Sequence, residues 1–107
     1  MKPRVLRHPV GVPLPDRELC EINLRYEGYR CRPWIDPRGR VWIGFRYEVD
    51  HVVQVVDGVA RLVVGSEVIR LRSGDRAFIP AGCLYSLANI GPDNLSWIAA
   101  FATSNDG

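Results

Sequence analysis

The chain lacks paired cysteines, long apolar runs and any lengthy helical stretch, and each absence closes off a class of protein. Its three cysteines, at positions 20, 31 and 83, are odd in number and show no C-x-x-C spacing. That argues against a disulfide framework and for free thiols in a reducing compartment. No apolar run approaches the length needed to cross a bilayer, and the opening Met-Lys-Pro-Arg-Val-Leu-Arg-His-Pro has no apolar core of signal-peptide length. A soluble, cytoplasmic protein is expected. Lys2 is the only lysine among 14 basic residues, and the net charge is +2. The arginines are scattered, with no basic block or basic helix, so they read as a solvated surface and nucleic acid is not an expected partner. Neither a G-x-S-x-G elbow nor a P-loop is present. At 107 residues there is room for one domain.

What is present is a period of two. Residues 1–18 carry prolines at 3, 9, 13 and 15, which suits an extended arm or edge strand. From 19 to 104 a single domain is expected. Ile22, Leu24 and Tyr26 alternate with polar residues and predict a strand with one wet face. Asp36-Pro37-Arg38-Gly39 reads as a turn. A strand over 41–49 places Val41, Ile43, Phe45, Tyr47 and Val49 on one face and Trp42, Gly44, Arg46 and Glu48 on the other. His51 to Gly58 is apolar on both faces apart from Gln54, as in a strand covered on both sides. Residues 60–64 and 67–71 form a hairpin about Gly65-Ser66. Shorter strands follow over 77–80 and 85–90, with a last one over 95–103. No segment of ten residues or more keeps a helical period, so the fold class is all-β, a jelly roll or barrel.

One stretch is more specific. Gly74, Pro80, Gly82, Tyr85 and Asn89 fall at the spacing G-x5-P-x-G-x2-H-x3-N, with tyrosine at the histidine position. This resembles the second motif of the cupin family, whose fold is a double-stranded β-helix. The family's first motif is similar to G-x5-H-x-H-x3-4-E-x6-G. Here Val55-Val56-Asp57-Gly58 matches its end. Counting back, its glutamate position falls on His51. Its histidines fall on Phe45 and Tyr47, or on Gly44 and Arg46 with the longer spacing; strand alternation favours the first pair.

The resemblance implies a metal site built from these positions, but Phe45 cannot ligate and phenols ligate only as phenolates. Phe45, Tyr47, His51 and Tyr85 instead suggest an aromatic, metal-free cavity for a small, mostly apolar ligand. No cofactor is expected and no catalytic residue is assigned. Three alternatives stay open. One is a divergent metal-dependent dioxygenase or isomerase holding a divalent transition metal at His51. Another is a metal-free acid–base enzyme like the cupin-type sugar epimerases, with His51 as base, Tyr47 or Tyr85 as acid, and Glu48 or Asp50 orienting the imidazole. The third is a sensing or interaction domain without a ligand. His8 is expected to be exposed and Cys83 to be inert packing. Apolar surface on both faces of residues 52–56 and an outward Trp42 predict a homodimer, with the arms possibly exchanged.

Overall fold

A computed structural model describes residues 2–103. Nine strands and one helix follow in the order β1 (Arg4–Leu6), α1 (Arg17–Tyr26), β2 (Tyr29–Asp36), β3 (Val41–Phe45), β4 (His51–Asp57), β5 (Val59–Val64), β6 (Glu67–Arg72), β7 (Arg76–Ile79), β8 (Tyr85–Asn89) and β9 (Leu95–Ala102). They form two antiparallel sheets, β1-β7-β4-β9-β2 and β3-β8-β5-β6. The inner faces meet in one core that includes Val53, Val55, Leu62, Leu71, Leu87 and Trp97. This is the expected all-β jelly roll, with the β5–β6 hairpin turning at Gly65-Ser66.

Two strand assignments need correction. The stretch around Ile22, Leu24 and Tyr26 is helical, not a strand. Asp16 caps it, its carboxylate accepting from the Leu19 amide at 2.8 Å. Only Cys20 and Leu24, one turn apart, are buried on it, while Ile22 is half exposed and Tyr26 almost fully exposed. The alternation in the sequence was a by-product of this narrow stripe, since i and i+4 share a helix face. Cys20 and Leu24 pack on Val52, Ile98 and Ala100, the outer face of the larger sheet. Gln54, the polar exception in β4, points at the same helix. It donates to Cys20 Sγ at 3.3 Å and accepts from Arg76 Nε at 2.9 Å, and Arg76 also pairs with Glu27 at 2.9 Å. The valines of 52–56 are thus covered within one chain.

The second correction lies in β3, which stops at Phe45 instead of running to Val49. Gly44 adopts φ +83°, and the pairing with β8 shifts register between Trp42 and Phe45. A bulge of this kind places residues of opposite parity on one side. Trp42 therefore turns inward with Phe45, their rings 5.7 Å apart, instead of facing out. Val41 and Ile43 are left exposed.

The arm is tied down by the turn that opens the second motif. Asp75 accepts from the His8 amide at 2.9 Å, from Arg7 Nη1 at 2.9 Å and from the Arg72 amide at 3.0 Å. Gly74, at φ +90°, leaves room for His8; a Cβ there would lie 2.7 Å from the His8 ring carbon Cγ. The expected domain end at 104 lies outside the described residues. Among the described residues no helix is long and apolar enough to cross a membrane.

Candidate functional site

The four residues singled out from the sequence converge at one end of the barrel. His51 opens β4 and Tyr85 opens β8, while Phe45 and Tyr47 flank the end of β3. The motif turn holds the intervening loop: the Gly82 amide donates to the Tyr47 carbonyl at 2.8 Å, and the Ala81 amide to Asp50 Oδ1 at 2.8 Å. Asp50 therefore braces a backbone turn and does not orient the imidazole. Glu48 is exposed.

The four side chains pack against one another. Phe45 and Tyr85 have ring centroids 5.2 Å apart, Tyr47 and His51 5.0 Å, and Phe45 and Tyr47 6.1 Å. Phe101 of β9 stacks over His51 at 5.4 Å and meets Tyr47 edge-on at 4.7 Å. Tyr85 and His51 are only 1% and 2% exposed, so no open cup remains between them.

At the centre Tyr85 Oη lies 2.6 Å from His51 Nε2. Burial pushes the phenol well above its ordinary pKa, with Tyr47 adding to the effect. The protonated phenol donates to Nε2, which leaves the proton of the neutral imidazole on Nδ1. That atom is buried without a partner among the described residues. Burial also lowers the His51 pKa to about 4; the nearby Val49 carbonyl and the Asp50 charge oppose it only in part, and the Val49 carbonyl does not reach hydrogen-bonding geometry with Nδ1.

This donor set does not fit a divalent transition metal. Such a site needs three or four nitrogen, oxygen or thiolate donors converging at about 2 Å. Here Nε2 is engaged by Tyr85, that phenol resists deprotonation, and Phe45 offers nothing. Among the described residues no group of three or more His, Cys, Asp or Glu converges elsewhere. The pair is equally ill placed for acid–base chemistry. A base with a pKa near 4 removes protons poorly at neutral pH, and both groups are shielded.

Open space lies one layer outward. A cleft of about 480 Å³ is lined by Arg30, Cys31, Arg32, Tyr47, Glu48, Val49 and Phe101. Its floor is the Tyr47–Phe101 pair that covers His51. A smaller hollow of about 250 Å³ reaches His51 from the other side, beside Tyr29 and Asp50. Of the four expected residues, Tyr47 borders the cleft and His51 the hollow, while Phe45 and Tyr85 stand behind them. Arg30, Arg32 and Phe101 were not singled out from the sequence. Alternation along Tyr29–Asp36 was the available signal, since it places Arg30, Arg32 and Trp34 on one face.

No family model matches the sequence, and no curated protein matches it either. Solved structures do. A cupin 2 domain-containing protein from Halorhodospira halophila superposes with a TM-score of 0.72 at 21% identity, covering 100% of this chain and 81% of its own. A cupin superfamily protein from Desulfitobacterium hafniense gives 0.65 at 12% identity, covering 96% and 79%. A predicted oxalate decarboxylase from Thermotoga maritima gives 0.65 at 17% identity, covering 77% and 73%.

Proposed function

From a chain that is a cupin by fold, we propose a protein that binds a small organic molecule at the aromatic mouth of its barrel without a metal. One observation carries this reading. The positions that hold metal in the family are filled by a buried, mutually bonded tyrosine and histidine, while a cleft of ligand size opens directly above their aromatic cover. Aromatic faces on the floor and polar side chains on the rim suit a flat ligand with one or two polar groups. The likeness to a predicted oxalate decarboxylase keeps metal-dependent catalysis as the competing view. The imidazole and phenol are consumed by each other, which favours binding over catalysis.

Tyr47→Ala removes half of the floor. It is expected to weaken any ligand found by thermal-shift screening by about tenfold, the loss of one stacked aromatic contact, with the fold retained. Stoichiometric iron, manganese, nickel or zinc in freshly purified, untreated protein would overturn the proposal.

A further inference from the structure

We infer that the cleft over Tyr47 and Phe101 selects small organic anions, carboxylates on a flat apolar body, through the guanidinium groups of Arg30 and Arg32. The inference rests on the reading that this cleft is a binding site. In the β2–β9 pairing Arg30 faces Phe101, Arg32 faces Ala99 and Trp34 faces Trp97. Directly paired residues of an antiparallel ladder project from the same side of the sheet. Ala99, Trp97 and Phe101 belong to the inner core, so both arginines stand on the inner face of their strand. In the next pairing Phe101 faces His51. His51, Phe101 and Arg30 therefore form one row across three strands, with the cation at its open end.

β2 is the edge strand of its sheet, and inward-pointing charges are one way such a strand is kept from unwanted pairing; these two also stand beside an open cleft. Here the outward positions of β2 are apolar: Ile35 is 63% exposed, and Tyr29 and Cys31 lean on the helix side. The cations point inward, toward a space that the irregular path after Gly44 leaves unfilled. Among the described residues neither guanidinium forms a salt bridge; the ion pairs there involve Lys2, Arg7, Arg17, Arg25 and Arg76. Among the described residues Glu48 is the one carboxylate on the cleft, against two guanidinium groups. These described side chains give the cleft a net positive charge beside an aromatic floor. A planar guanidinium binds a carboxylate in two parallel hydrogen bonds, and the rings receive the body that carries it.

Titration of the whole protein with benzoate, benzamide and benzamidinium, followed by NMR shifts at the Tyr47 and Phe101 rings, tests this. The three probes share a shape and differ in charge. Benzoate is expected to bind about tenfold or more tightly than benzamide, as a charge-assisted pair exceeds a neutral one, and benzamidinium to bind least. R30Q/R32Q should bring benzoate down to the benzamide level without changing benzamide, and R30K/R32K should restore part of the difference. Equal affinity for benzoate and benzamide, or an unchanged benzoate affinity in R30Q/R32Q, would overturn the anion selectivity and leave the site standing. Absence of ring shifts with all three probes would overturn the site itself. Both arginines are exposed, so an unchanged melting temperature in the variants shows that the fold is not the cause.

Discussion

His51 is the residue whose environment departs most from its sequence neighbourhood. It lies at the start of an apolar strand, keeps one nitrogen on Tyr85 and has the other buried without a partner among the described residues. An orphaned buried donor costs about 1–3 kcal/mol. Burial lowers its pKa from the ordinary 6.5 to about 4. Between these values the unfolded chain takes up a proton that the folded chain refuses. Stability is therefore full above the unfolded value and is lost as pH falls toward the folded one, by up to about 3 kcal/mol. Urea midpoints measured from pH 7.5 to 4.5 should fall accordingly, and His51→Gln should flatten that slope. Asp36 makes a second residue-scale prediction. A single oxygen, Oδ2, accepts from both Trp42 and Trp97 Nε1 at 2.8 Å. Asp36→Ala orphans two indole donors and is expected to cost about 2–5 kcal/mol, with a shift in tryptophan emission already visible in the folded state. Emission and stability like those of the parent would show that the indoles find other partners.

At the scale of elements, the second motif does structural work that its resemblance alone did not suggest. Asn89 secures the turn after β8, donating from Nδ2 to the carbonyls of Asp36 and Asp93 and accepting from the Gly91 amide. Gly82 ties the loop carrying Tyr47. Gly74 and Asp75 seat the N-terminal arm. Burial raises the Asp75 pKa, but hydrogen bonds from the Arg72 and His8 amides and from Arg7 outweigh it, so the net shift is downward. Gly74→Ala combines a left-handed backbone with a collision against His8. It should cost about 1–3 kcal/mol and speed amide exchange in residues 4–8 with little change in β4. Equal protection of the arm in that variant would show that the turn does not hold it. The helix α1 shows where sequence patterning misled: ten residues with two buried side chains match an alternating template as well as a helical one, and only the Asp16 cap distinguished them.

For the whole molecule, the surfaces that suggested a homodimer are accounted for inside one chain. The outer face of β4 and β9 lies under α1, and Trp42 lies in the core. The apolar side chains still exposed on β2 and β3 are Ile35, Val41 and Ile43, the last 84% exposed. Of the two sheet surfaces this patch suits self-association better, because the outer face of the smaller sheet sets Arg61 directly opposite Arg70 and adds Arg72. Pairing two such faces would bring like charges together. Light scattering at micromolar concentration checks this. Twice the chain mass, reduced to one by Ile43→Asp, places the contact on β3; a single-chain mass for the parent protein ends the dimer expectation.

Strand order in the sequence, the hairpin at Gly65-Ser66 and the motif spacing from Gly74 to Asn89 were enough to identify the barrel. These are local features: a period of two and the dihedral demands of glycine and proline are properties of a few successive residues. The convergence of His51 with Tyr85 was legible only through motif spacing, and that Tyr85 closes the space by bonding His51 was not legible at all. That contact, like the bulge that turns Trp42 inward, the helix that covers the valines and the row joining Arg30 to Phe101, links residues far apart in the chain. Such pairings exist only once two sheets have set their registers against each other, and a shift of one residue would have turned both arginines to the outside.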